Sequence, residues 1–224
     1  MAQSSLTLCG KVLCMTPIDD DTPLGDPAES LRLIRAEQAN LARTLTPDPR
    51  LMYWPWGIAW LVGFGALFLR FAPGGRVLVD MPAWLPSTIL LVLLLGAGIT
   101  TGIAGGRAGR QVAGPSSRQG LMYGLTWSVA FAGMSTVFAQ FTAELPDARQ
   151  SLLWGGGMVA LTGALHMAGG AMWNDRNLFV LGAWTSVVNI VGILFGVGWH
   201  PLIVAVLAGG GMLVLGQIGW QRLR

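Results

Sequence analysis

Few side chains in this sequence have the chemistry to act on another molecule, and those few are neutral. Thr162 and His166 stand four residues apart, as do Thr185 and Asn189, a spacing that sets each pair on one face of a helix. If the short stretch from Asn174 to Arg176 folds the two segments antiparallel, positions adding to about 351 lie level. His166 then faces Thr185, and Thr162 faces Asn189. Four polar groups converging inside an apolar bundle have two uses. One is hydrogen bonding between helices, at about 0.6 kcal/mol per contact. The other is a small polar binding or permeation site in which His166 titrates.

What is missing narrows the chemistry further. No Asp, Glu, Lys or Arg falls in the middle of an apolar run, so the carboxylate relay common in proton-coupled carriers is absent. No run offers a Gly-x-Ser nucleophile with a histidine on its neighbour, and there is no His-Glu-x-x-His pair. The sequence therefore predicts no enzyme. Ten methionines are scattered singly through apolar runs, as fillers and not as a cluster of soft copper ligands. Cys9 and Cys14 have no histidine nearby to complete a metal site and read as free thiols. No cofactor and no metal is expected. The segment from Gly105 to Gly114 has the glycines of a phosphate loop but neither a preceding strand nor a Walker lysine. It reads as a basic loop whose Arg107, Arg110 and Arg118 meet lipid head groups or a partner.

The elements that would position these groups follow from composition. Of 224 residues 53% are hydrophobic and only 11% charged, too little polar surface for a water-soluble fold. From Leu51 onward apolar runs alternate with short polar breaks, and a bilayer core about 30 Å thick takes roughly 20 helical residues. Six runs fit, near 52–72, 85–105, 120–141, 153–173, 177–197 and 201–219. The last two are parted only by Gly198, Trp199, His200 and Pro201, read as a tight hairpin. Residues 1–25, acidic around Asp19, Asp20 and Asp21, read as a disordered cytoplasmic tail. Met15 offers an alternative start to Met1, and no cleaved signal peptide is evident.

Asp26-Pro27-Ala28-Glu29 has the cap, first-turn proline and third-position glutamate of a helix start. The helix runs to about Thr44 with Leu31, Ile34 and Leu41 on one side, and Pro47 and Pro49 end it. Residues 26–50 are thus an amphipathic helix with its linker, 51–220 the membrane domain and 221–224 a cytoplasmic end. The fold class predicted is all-α: a polytopic transmembrane bundle of six spans preceded by that cytoplasmic helix. Gly98, Gly102 and Gly106, and again Gly192 and Gly196, form stripes of small residues that let helices approach closely, within one chain or in a homo-oligomer. Gly124-Leu-Thr-Trp-Ser-Val resembles Gly182-Ala-Trp-Thr-Ser-Val, and Gly155-Gly-Gly-Met resembles Gly209-Gly-Gly-Met, which suggests duplicated hairpins.

Basic residues flanking short loops are retained in the cytoplasm. With the N-terminus inside, eleven fall on that side (Lys11, Arg32, Arg35, Arg43, Arg50, Arg107, Arg110, Arg118, Arg176, Arg222, Arg224) and only Arg70, Arg76 and Arg149 on the other. Both termini are therefore expected in the cytoplasm. The net charge of +3 is topological and implies no nucleic acid.

Leu45-Thr-Pro-Asp-Pro-Arg50 followed by Tyr53-Trp-Pro-Trp-Gly57 resembles the opening of small six-span bacterial membrane proteins loosely labelled transporters, and the likeness extends from about Asp26 to the C-terminus. It implies a bacterial cytoplasmic membrane protein, and transfers no catalytic residue. Two functions follow as expectations. The first is a small transporter or the membrane component of an export system, energised by an ATPase partner if by any. The second is a non-transporting regulator or scaffold that recruits a cytosolic partner through the helix at 27–44.

Overall fold

The computed structural model describes residues 26–45, 48–109 and 115–223. The described residues are helical apart from short links, with a single isolated bridge between Ala72 and Arg76. The chain divides into two compact units, Met1–Ala42 and Arg43–Arg224. In the first lies most of α1 (Pro27–Leu45). Asp26 caps it, its carboxylate accepting from Ala28 N at 3.1 Å, and Leu31 and Ile34 are exposed.

The second unit holds α2 (Pro49–Arg70), α3 (Leu85–Gly109), α4 (Pro115–Thr142), α5 (Asp147–Trp173), α6 (Arg176–Phe195), α7 (Trp199–Ile203) and α8 (Gly210–Leu223). A π-helical segment, Val204–Gly209, joins α7 to α8 without a break. Counting α7, the π segment and α8 as one, six helices are long and apolar enough to cross a membrane. Pro49, expected to end the first helix, instead opens the second. Asp48 caps α2, accepting from Arg50 N at 2.9 Å, and Pro49 fills the first position, where its missing N–H costs no helical bond.

The bundle is organised around α2. Its buried residues Gly57, Trp60, Phe64 and Leu67 recur at steps of three and four, which makes one continuous stripe. That stripe packs with Val159 of α5, Leu181 and Val188 of α6, Val204, Ala205 and Ala208 of the π segment and Met212 of α8. Backbones come close where glycines allow it. A Cβ on Gly209 would sit 2.9 Å from Leu61 N, and one on Gly57 2.9 Å from Gly209 O, so α2 crosses the last span nearly backbone to backbone.

Helices α5 and α6 form the tightest pair. Asn174 ends α5 in the left-handed conformation (φ 53°), and Asp175 caps α6 by accepting from Asn177 N and Leu178 N, so the reversal needs two residues. Gly170 then abuts Phe179, Gly163 abuts Ser186 and Gly156 abuts Ile193. The level positions add to 349 in each of these contacts, two residues short of the register expected from the link.

The peripheral helices differ. α3 packs on α2 and α4 on α5, and no residue in the apolar stretch of α4 is buried. Gly98, Gly102 and Gly106 meet nothing within 4 Å, so this stripe does not pack within the described chain as expected. Gly192 does pack, its would-be Cβ falling 2.9 Å from His200 Cδ2. Gly196 does not: with φ 82° it caps α6, and it stands outside the helix whose stripe it was to extend. The paired glycine motifs sit in unlike places too. Gly124 meets nothing within 4 Å whereas Gly182 lies against Met167 N, and Gly155 faces His200 whereas Gly209 faces α2, so their similarity marks no common packing role.

Candidate functional site

The four residues singled out from sequence are brought to neighbouring helices but not to one another. Thr162 is buried and donates to Met158 O at 2.8 Å, within its own helix. His166 is half-buried, with Nδ1 2.8 Å from Thr162 O. Its ring stands edge-on to Trp127 of α4, centroids 5.1 Å apart. That neighbour belongs to an aromatic face of α4, where the Tyr123 hydroxyl donates to Leu165 O at 2.6 Å. His166 is thus engaged by α4 and not by Thr185. Thr185 is buried with its hydroxyl unpaired, and Asn189 turns to a different partner. The Thr162 hydroxyl satisfied on its own helix and a two-residue change of register separate the pairs.

The polar centre that does form is built on a residue the sequence placed in a loop. α6 ends at Phe195, Gly196 and Gly198 take positive φ (82° and 94°), and Trp199 starts a new helix. A Cβ on Gly198 would collide with the backbone of Ala72 and Pro73, so this link is pressed onto the one following α2. The turn carries His200 inward, where it is 0% exposed. His200 Nε2 lies 2.9 Å from Asn189 Oδ1, and Asn189 Nδ2 donates to Gly156 O at 2.8 Å. Phe64 closes the ring edge-on at 6.2 Å. Gly155, Gly156 and Gly192 leave room for the imidazole, and a Cβ on Gly155 would meet His200 Cε1 at 3.2 Å.

The hydrogen bonds fix both groups. A carbonyl only accepts, so the Asn189 nitrogen is the atom facing Gly156, and its oxygen faces His200. The imidazole must then carry its proton on Nε2 when neutral, leaving a lone pair on Nδ1. That atom is buried without a partner, as is Ser151 Oγ on α5. Beside this centre the helix loses its regular ladder at Val204–Gly209. π segments free carbonyls from the i→i−4 pattern, and here Leu207 O accepts from Trp184 Nε1 at 3.0 Å. The signal available in sequence was the run Gly155-Gly156-Gly157, a backbone surface open to a ring, which by itself names no ring.

Arg107 and Arg118 are exposed, and Arg110, Cys9 and Cys14 lie outside the described residues. Where α2 begins, Arg50 pairs with Asp48 at 3.0 Å and lies 4.1 Å over the Trp220 ring, clamping the start of α2 to the end of α8. The hydrogen bond from Arg50 holds the Asp48 carboxyl below its usual value of 3.8.

Six helices long and apolar enough to cross a membrane, with a small polar centre between α2, α5, α6 and α7, define a multi-pass helical membrane protein. Comparison with family models, with curated proteins and with solved structures finds no match to the chain.

Proposed function

We propose that this protein is a small transporter, or the membrane component of an export system, with His200, Asn189 and the Gly155–Gly156 backbone as its working centre. The observation that carries the reading is His200 itself, wholly buried with a bare ring nitrogen. Polar groups inside spans are costly to keep and face the bundle interior when they serve a pathway. The chain brings no nucleotide-binding loop, so any ATP-driven energy would come from a partner ATPase.

The test compares solutes released by cells carrying the native chain, Asn189→Ala or His200→Gln at equal membrane abundance. A solute whose export falls in both variants supports transport; identical release profiles would sink it. The alternative is a regulator or scaffold, favoured by one specific observation: the exposed Leu31 and Ile34 of α1 offer a surface to a cytosolic protein. Under that reading deletion of residues 1–44 abolishes the phenotype while the His200 and Asn189 variants leave it intact. Its location in a bacterial cytoplasmic membrane, which rests on the resemblance of residues 45–57, and the placing of both termini inside, which rests on the basic residues, belong to the same proposal.

A further inference from the structure

Among the described residues Ser151 Oγ, Thr185 Oγ1 and His200 Nδ1 are buried without a partner. Asp147, Ser151 and Gly155 follow one another at intervals of four along α5, so they form one stripe rising about 6 Å per step. Asp147 is exposed at the start of the helix. Ser151 Oγ is buried and, unlike Thr162, does not donate back to its own helix. At the level of Gly155 stands the His200 ring, with Nδ1 3.6 Å from where a glycine Cβ would be. An exposed carboxylate, a free hydroxyl and a free imidazole lone pair thus succeed each other from the helix end inward. Buried polar atoms in native proteins are nearly always paired, and here Ser151 Oγ on the stripe and His200 Nδ1 beside Gly155 both lack a partner.

We infer that His200 Nδ1 is a proton-binding site loaded from the α5 end of the bundle, with Ser151 as the hydroxyl relay and Asp147 as the collecting group. This deepens the proposed function by naming the ligand as a proton, and it rests on the reading of His200 as the working centre. The chemistry balances without a co-reactant. A proton from solvent reaches Asp147 and passes to Ser151 Oγ, which releases its own proton to the Nδ1 lone pair. The imidazolium then holds the new proton on Nδ1 and keeps its Nε2–H donated to Asn189 Oδ1. A hydroxyl fits the relay because it donates and accepts.

Competing charges are few. The face of α2 at Phe64 offers none before Arg70, whose Nε donates to Met81 O at 2.8 Å. α6 brings only Asn189, and the π segment brings no titratable group. On α5 the charged neighbours are Asp147 and Arg149, both exposed, and in the link after α2 they are Arg76 and Asp80, exposed as well.

The experiment uses the full chain in lipid nanodiscs with its histidines 15N-labelled. There are two in the sequence, so His166→Gln leaves the His200 signals alone. The proposal expects a proton on Nε2 and none on Nδ1 at neutral pH, with appearance of the Nδ1 proton as pH falls. It expects Ser151→Ala to slow exchange of the ring proton with solvent at least tenfold, Asp147→Asn to slow it severalfold, and Ser151→Thr to keep the parent rate. A proton resident on Nδ1, or exchange within twofold of the parent in both Ser151→Ala and Asp147→Asn, overturns it. Asp147 is exposed, so its variant tests the route even if Ser151→Ala misfolds. The readout needs no flux, and its failure leaves the solute-release comparison standing.

Discussion

Asn189 is the residue on which the polar centre turns, because its amide joins α5 to the turn after α6 and sets which nitrogen of His200 holds the proton. Replacing it with Ala leaves the His200 Nε2–H buried without an acceptor. An orphaned buried donor costs about 1–3 kcal/mol, well above the roughly 0.6 kcal/mol of an ordinary contact between membrane helices. Thr162→Val removes a hydroxyl that only back-bonds to Met158 O, and the loss should stay at or below that smaller figure. Unfolding of both variants in mixed detergent micelles checks the order; equal losses would mean that Thr162 belongs to the same network after all.

The same residues show how far the sequence could be read. Spacing put Thr185 and Asn189 on a buried face correctly, since periodicity reports faces. It could not report that the Thr162 hydroxyl would be satisfied within its own helix while that of Thr185 is not, or that the pair's register would shift by two. His200 was hidden by its company. Between Gly198 and Pro201 it looked like part of a turn, and only the contact of that turn with Gly155 and Gly192 buries it.

At the scale of elements, glycine has two opposite meanings here, and substitution separates them. Gly209 faces backbone atoms of α2 that cannot move aside, so Gly209→Ala should destabilise by about 1–3 kcal/mol, as overpacking does. Gly102 meets nothing within 4 Å, and Gly102→Ala should be neutral or gain up to about 1 kcal/mol from helix propensity. Thermal unfolding of the two in detergent decides, and a Gly102→Ala as damaging as Gly209→Ala would place an unseen contact on α3. The existence of all six apolar helices was legible because a bilayer's thickness sets their minimum length, while α4 and α5, at 28 and 27 residues, run past the expected bounds. The π segment was not, since nothing in Val204–Gly209 distinguishes an i→i+5 ladder from an ordinary one before the Trp184 bond to Leu207 O is known.

The start of α2 gives a pH-dependent element. Arg50 lowers the Asp48 pKa in the folded chain below 3.8, so the folded state binds this proton less readily than the unfolded one. The stabilisation is then complete above about pH 3.8 and is lost as the pH falls through the lower folded value. Asp48 and Arg50 are each one-third exposed, and solvent keeps the effect small. Asp48→Asn should therefore flatten the acid edge of a melting-temperature profile below pH 4 while changing the profile at neutral pH only through the weakened cap. An unchanged acid edge would assign that loss of stability to other carboxylates.

For the molecule as a whole, parity and charge make separable statements about topology. Six spans return the chain to the side it left, so the start of α2 and the end of α8 share a side whatever the orientation. Which side that is rests on the basic residues, eleven against three, because positive charge near span ends resists translocation. Single cysteines placed at exposed positions test both in a chain whose Cys9 and Cys14 are first replaced by serine. Arg107→Cys and Asp175→Cys should react with a membrane-impermeant maleimide only after the cells are opened, whereas Arg76→Cys, Glu144→Cys and Val197→Cys should react in intact cells. The reversed pattern would keep the six-span fold and discard the orientation. Labelling of adjacent links from the same side would mean that a helix between them does not cross. The sharpest position is Val197, since its link joins α6 to the helix that buries His200. If it is reached from outside, the stripe from Asp147 inward opens to the same side, and a proton bound at His200 enters from there.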